Sequence, residues 1–422
     1  MKKVILKLKE DFWAYTLLFV GFILRLLYIF NFTKPENYLW SDAGGYDQRA
    51  LQMAKDQYIM FSTYFPPFFH MFLSLIYRPV IWLGLESWRI KIDVVFFALL
   101  YILSFWCIYQ ISKKLFSKKT ALIILTILIL WYPFIFLNAL VMSENLFFPL
   151  FFFGLYLLIT KPDKTSTGFW IGLCWGFAVV TRPIFALALP LFLLWGLYYK
   201  INWKFLLNFI ITAGLIIVAI MIFNFCYTQG SEKSISSNGG SVFALLWCDA
   251  KSIQFTDNGV YYWFAPPANS NYPDSRRIFT SVPFTNQKYY YQMGFDCLKQ
   301  NPERLITNIS SVAKLFYSQL FPTIESLAGW EILQKLFRFL TGLLFIISTA
   351  TIIGISCKFI SINKSVRKYF YLFALIILSL IITTYFQGVG EERYIIPYVP
   401  LLIISSVPIF KNLSSKKETS SI

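Results

Sequence analysis

Charge is scarce in this chain. Only 14% of its 422 residues are Asp, Glu, Lys or Arg, while 57% are hydrophobic, 20% are aromatic and mean hydropathy is +0.59. A soluble globular chain is about 45–50% apolar, so that class is excluded. Histidine is scarcer still: His70 stands alone, and one histidine with no paired spacing is poor material for zinc. The six cysteines contain no Cys-x-x-Cys, which argues against a cysteine metal site. Acids are the minority charge, 21 against 38 Lys and Arg, for a net +17. No basic stripe with interleaved aromatics lies outside the apolar runs, so nucleic acid is not an expected partner.

What is present is a series of apolar runs from end to end, each near the length a bilayer requires. Spans are expected near 13–30, 90–111, 120–137, 145–160, 168–184, 185–199, 205–225, 337–357, 369–385 and 394–410. The first has no small-residue cleavage site after it and reads as a retained span. The fold expected is an all-α polytopic membrane bundle of about ten transmembrane helices. Three parts are expected: an N-terminal membrane module over 1–226 with a first outer loop at 31–89, a polar outer region over 227–330, and C-terminal helices with a tail over 331–422.

The segment FPPFFHMFLSLIYRPVIWLGL (65–85) either spans or lies in the interface, and charge decides between these. With 65–85 interfacial, the lysines at 2, 3, 7 and 9, Lys113, Lys114, Lys118, Lys119, Lys161, Lys164, Lys200, Lys204, Lys358, Lys364, Arg367, Lys368 and the tail lysines share one side. The positive-inside rule then makes that side cytoplasmic. Pro66, Pro67, His70 and Arg78 also suit an interfacial helix. Asp42, Asp47, Glu144, Arg182, the segment 227–330 and Glu391-Glu392-Arg393 all fall on the opposite face.

Each of these has a plain reading beside a functional one. In WSDAGGYDQRA (40–50), Asp42 sits where a helix starts and would serve as an N-cap; it would also serve as a general base. Tyr46 shares the helix, and Asp47 reads as a helix-face residue with solvated neighbours. Glu144 at the start of a span favours the helix dipole, yet an ionisable residue at a membrane boundary is a site candidate. Arg182 in VVTRPIF (179–185) either snorkels to headgroups or binds phosphate as a two-point fork. Headgroup anchoring explains Arg393 and Tyr394 but not Glu391 and Glu392 beside them. The stretch 236–267, with Asn238 near its start, has the amide and aromatic content that sugars use, as do ordinary packed loops. Cys248 and Cys297 both lie in the outer region, where a disulfide would persist; spacing alone does not establish the pair.

Together these segments resemble the GT-C superfamily of polytopic glycosyltransferases, closest to the glycosyltransferase family 39 and aminoarabinose transferase branch. The resemblance is carried by LRLLYIF (24–30), SDAGGYDQRA (41–50), YFPPFFHMFLSLIY (64–77), SENLFFPLFF (143–152), VVTRPIFALALPL (179–191), SSNGGSVF (236–243) and ERYIIPYVPLL (392–402). It implies a GT-C bundle with interfacial helices at 42–56 and 65–85, and a membrane glycosyltransferase using a polyprenyl-phosphate sugar on the non-cytoplasmic face of the cell membrane. It further implies Asp42 as catalytic base and Glu144 as a second catalytic acid. On that reading Arg182 and Arg393 hold the donor phosphate, and Tyr46, Asp47, Asn238, Glu391 and Glu392 contact substrate. Asp42 is followed by Ala43 where many relatives have Asp-Glu; with no obvious metal partner, no metal ligand is assigned, although a divalent ion is compatible with the superfamily. The acceptor is lipid, glycan or protein. The competing readings are a lipid-linked-sugar flippase or transporter, which calls for ionisable groups at the midplane, and a polysaccharide polymerase or ligase with a diphosphate donor.

Overall fold

A computed structural model describes residues 10–39, 41–57, 65–162, 164–230, 232–248, 255–257, 260–262, 286–317, 331–387 and 391–419. The protein is an all-α polytopic membrane protein. All ten apolar stretches form helices, and six are long and apolar enough to cross a bilayer: Phe12–Thr33, Glu86–Leu115, Trp203–Tyr227, Ile332–Ser356, Lys364–Gln387 and Arg393–Phe410. A seventh crossing is broken, because Lys118–Leu130 and Tyr132–Asn138 meet at 54°. Trp131 is extended between them and Pro133 opens the second piece, where its missing N–H costs nothing. The remaining three, Glu144–Thr160, Thr165–Thr181 and Pro183–Tyr198, are shorter. At 1.5 Å per residue, 17 residues cover about 26 Å, less than the hydrocarbon core of about 30 Å. Three of the ten expected spans are therefore too short to cross unaided.

In chain order the principal helices are α1 (Phe12–Tyr28), α2 (Ser41–Ala54), α3 (Pro67–Trp82), α4 (Arg89–Leu115), α5 (Lys118–Leu130), α6 (Tyr132–Asn138), α7 (Glu144–Thr160), α8 (Thr165–Thr181), α9 (Ala188–Tyr198) and α10 (Trp203–Tyr227). There follow α11 (Gly239–Trp247), α12 (Gln287–Gln300), α13 (Arg304–Thr307), α14 (Ile309–Tyr317), α15 (Glu331–Ser356), α16 (Lys364–Gln387), α17 (Glu392–Ile395) and α18 (Val399–Thr419). One short antiparallel hairpin, Phe255–Asp257 with Val260–Tyr262, lies between α11 and α12.

Small residues set the tightest contact. Gly168, Gly172 and Gly176 fall four apart on α8 and face α10; a Cβ on Gly172 would sit 2.6 Å from the Phe209 carbonyl oxygen. Apolar surface gives no drive for association in lipid, so close backbone approach of this kind holds such pairs together. Segment 65–85 forms α3, whose Phe69, His70, Leu73, Ser74 and Tyr77 are buried while Leu75 and Trp82 are exposed. That two-faced helix is what an interfacial position requires.

Helix α4 marks the two ends of the bundle. At its last turn Lys113 Nζ pairs with Asp11 at 2.7 Å, with Tyr109 donating to the same carboxylate. At its first residue Arg89 pairs with Asp47 of α2. About 36 Å of helix separates these contacts. The lysine-rich connection beginning at Lys118, which also touches the Glu10 carbonyl, lies at the Asp11 end. The acids of α2 lie at the other.

The disulfide that spacing left open is present: Cys248 and Cys297 are bonded and join the end of α11 to α12. This pair docks on the end of α16, where Trp247 Nε1 donates to the Phe386 carbonyl at 3.2 Å. Arg304 of α13 in turn donates to the Trp247 carbonyl.

Candidate active site

Five charged side chains from four remote segments meet at the α2 end of the bundle. Arg393 Nη2 pairs with Asp42 Oδ2 at 2.7 Å, its Nε contacts Glu391, and Nε lies 3.9 Å from Glu144 Oε1. Arg182 pairs with that same Glu144 oxygen. The Tyr394 ring supports both guanidinium groups, at 4.9 Å from Arg182 and 5.4 Å from Arg393.

Local sequence explains how each arrives. Asp42 lies in the first turn of α2, where the free N–H groups favour a carboxylate. Glu144 is the first residue of α7 and is fully buried. A buried carboxylate needs a partner, and Arg182 supplies it while donating to Ser143 Oγ at 3.2 Å. Arg182 reaches it because Pro183 bars the preceding residue from helix; its backbone is extended (φ −141°, ψ 96°), which ends α8 there. Tyr46 lies one turn after Asp42, buried against the rings of Phe65 and Phe69, with its hydroxyl hydrogen-bonded to Ser143. Burial, reinforced by Asp42 and Glu144, pushes its phenol up to about 12, so it stays a proton donor at neutral pH. Burial also raises the Glu391 carboxyl, with Asp42 and Glu144 adding to the shift and Arg393 opposing it.

Asp42, Tyr46, Glu144, Arg182, Glu391 and Arg393 are thus brought together. Glu392 opens α17, and its side chain lies outside the described residues. Asp47, expected on a helix face with solvated neighbours, is itself buried and engaged by the protein. It is 6% exposed, and its two oxygens receive Arg89 Nε and Nη2 at 2.9 and 2.8 Å, with Tyr77 Oη also donating at 2.9 Å. Those partners use up the carboxylate, so Asp47 fastens α2 to α3 and α4. Asn238 also stands apart, as its Oδ1 accepts from Ser236 Oγ. Its neighbours Ser234 and Ser236, with Glu232, surround the Gln287 amide. His70 is fully buried on α3 with neither ring nitrogen partnered among the described residues. Burial, then Arg49, moves it down to about 3, so it is a neutral packed side chain.

Sequence reasoning missed three residues here. Ser143, present in the sequence analysis only within SENLFFPLFF, touches Tyr46, Glu144 and Arg182. Tyr398, one turn beyond Tyr394, is 1% exposed with its hydroxyl unpartnered among the described residues, its ring against Phe147 and Phe151. Arg25, hidden inside LRLLYIF, is fully buried mid-span; Nη1 donates to the Gly21 carbonyl and the guanidinium lies 4.8 Å from the Phe105 ring centre. A charge inside an apolar run was the available signal.

The donor set does not fit a metal centre. Among the described residues no three His, Cys, Asp or Glu side chains group as ligands, and the carboxylates that approach one another do so through two arginines. No step through a metal is derived.

No protein-family model matches the chain, and no curated protein matches it. Among solved structures it is similar to the crystal structure of the Archaeoglobus fulgidus oligosaccharyltransferase in complex with Zn and sulfate. Identity is 13% and the TM-score 0.41, over 96% of this chain and 50% of that one. The chain spans about half the length of that structure.

Proposed function

We propose that this protein is a GT-C type membrane glycosyltransferase that moves a monosaccharide from a polyprenyl-phosphate donor to an acceptor hydroxyl on the non-cytoplasmic face of the cell membrane. One observation carries the reading: carboxylates and guanidiniums from 42, 144, 182 and 391–393 converge at a single end of an apolar bundle. Structural ion pairs alone do not call for three acids and two arginines in one cluster at a helix-bundle mouth, where each costs desolvation.

In the proposed reaction Asp42 takes the proton of the acceptor hydroxyl. The oxygen attacks the anomeric carbon as the bond to the phosphate oxygen breaks, and the phosphate departs with that electron pair. Arg393 and Arg182 stabilise the leaving phosphate, and positive charge develops on the sugar ring. Glu144 holds Arg182 in place and faces Tyr46 through Ser143. The outer face is supported by the Cys248–Cys297 disulfide docked beside the α16 end that leads to Glu391, since disulfides persist in oxidising compartments. Lysines at the opposite end of α4 support the same orientation.

The test uses purified protein in lipid nanodiscs, offered polyprenyl-monophosphate sugar or polyprenyl-diphosphate glycan. Transfer from the first is expected, with Asp42→Asn slower by about 10²–10⁴-fold at unchanged membrane insertion. Full activity in that variant removes Asp42 as base. The transporter reading draws on Arg25, an ionisable group at mid-span; sugar-lipid movement across liposomes without transfer would favour it.

A further inference from the structure

Asp42 and Arg393 have separate tasks in the reaction above, yet in this structure they are partners, 2.7 Å apart. With its Oδ2 held against a guanidinium, Asp42 has fewer acceptor sites left for an incoming hydroxyl. An arginine engaged on a carboxylate likewise has fewer donors for phosphate.

The contacts around Arg393 are unequal. Its Nε edge lies against Glu391 of the same segment, with Glu144 3.9 Å away, and its plane lies over Tyr394. Asp42 holds the Nη2 end. Glu391 and Asp42, the two carboxylates on Arg393, are 35% and 23% exposed, whereas Glu144 is fully buried and its partner Arg182 only 9% exposed. An arriving anion therefore reaches the Arg393 pairs first, and of these Glu391 is carried on the same segment as Arg393 whereas Asp42 reaches in from α2 and can part from it. The Asp42–Arg393 pair is also weaker to hold than Glu144–Arg182, because a part-exposed pair is screened by solvent and a buried pair much less so. Three carboxylates face two guanidiniums, so with all five ionised the cluster carries one excess negative charge. A phosphate adds at least one more, and it can take a two-point hold on Arg393 only if a carboxylate yields its place.

We propose that donor binding unmasks the base: the donor's phosphate displaces Asp42 from the Nη2 end of Arg393, while Glu391 keeps hold of Nε, and the freed Asp42 then accepts the acceptor's proton. The inference rests on the glycosyltransferase reading and adds an order of events to it. Acceptor is deprotonated only when donor is in place, and Arg393 is the element that couples the two. Glu391 acts as a positioning residue, since it holds Arg393 through the exchange.

The experiment compares structures of the wild-type, full-length protein in nanodiscs, without and with saturating polyprenyl phosphate, the lipid product of the proposed reaction. The expected result is phosphate on Arg393 with Asp42 moved beyond about 4 Å, the limit of an ion pair. Phosphate bound at Arg182 and Arg393 with the Asp42 pair intact would overturn the unmasking and leave the transferase site standing. Phosphate absent from both arginines would overturn the site itself, and the unmasking with it. In a second measurement, carbodiimide labelling of Asp42 followed by peptide mass spectrometry is expected to rise several-fold with polyprenyl phosphate in the wild type and to be insensitive to it in Arg393→Gln. A rise of equal size in that variant would also overturn the proposal.

Discussion

Glu144 and Arg182 show how unevenly a buried pair responds to damage. Both are withdrawn from solvent, Glu144 completely, so removing one leaves the other as an uncompensated charge. Arg182→Gln is expected to cost about 3–5 kcal/mol of stability, while Glu144→Gln with Arg182→Gln costs less than Arg182→Gln alone. Thermal unfolding in detergent, read as a double-mutant cycle, checks the order. Glu391 makes the opposite kind of contribution. Its carboxyl is raised above the ordinary 4.5, by burial first and then by Asp42 and Glu144. The folded state therefore favours the protonated form. That stability is complete below the unfolded value near 4.5 and is lost as pH rises through the raised folded value. Because the side chain is 35% exposed, no free energy is attached to it. Glu391→Gln is expected to flatten the fall in melting temperature on going from pH 4.5 to neutrality; an unchanged slope would remove Glu391 as the source.

Helix α2 places Asp42 correctly only if α2 itself is held. It is polar for a helix in such a bundle, and its fastening is the Asp47–Arg89 fork with the Tyr77 hydroxyl. Asp93, one turn along α4 from Arg89, is fully buried beside the same hydroxyl. Hydrogen bonds to charged groups are worth about 1.5–3 kcal/mol, so Arg89→Gln is expected to lower stability by that order. On the proposed function its transfer rate should fall at constant donor KM, since Asp42 moves while the two arginines proposed to hold donor stay. The exchange Asp47→Arg with Arg89→Asp should restore part of the rate. A Km effect without a rate effect would contradict the fastening role. Sequence reading placed a helix at 42–56, where α2 runs Ser41–Ala54, and put Asp47 on a face with solvated neighbours, because helical spacing gives a face and does not say what that face meets. Arg89 is 42 residues away, and nothing in that spacing ties it to Asp47.

Across the whole molecule, α4 separates an Asp11–Lys113 end from an Asp47–Arg89 end, and the disulfide-bonded α11–α12 pair sits with the latter. Topology and redox compartment are then one question. Impermeant maleimide applied to intact cells should label engineered cysteines near position 42 but not near 114, and Cys248 and Cys297 should resist alkylation until reduced. Labelling in the reverse sense would invert the orientation and sink the proposed site with it. The loop closed by that disulfide spans 49 residues, so Cys248→Ser is expected to cost up to about 4 kcal/mol on chain-entropy grounds, measured as a fall in melting temperature.

Two physical signals are written along the chain. Apolar run length and the lysine asymmetry of the connections are local properties, so ten helices, the two-faced α3 and the common side of Asp42, Glu144, Arg182 and Arg393 were all readable there. The disulfide was readable as a possibility and no more, because pairing is a matter of distance. Tertiary structure alone decided which charges touch: that Arg182 closes on Glu144, that Asp47 is consumed by Arg89, that Asn238 belongs to another cluster, and that Arg393 lies on Asp42. Pairwise contact between residues 351 positions apart depends on how helices pack, and nothing in their spacing along the sequence encodes that distance.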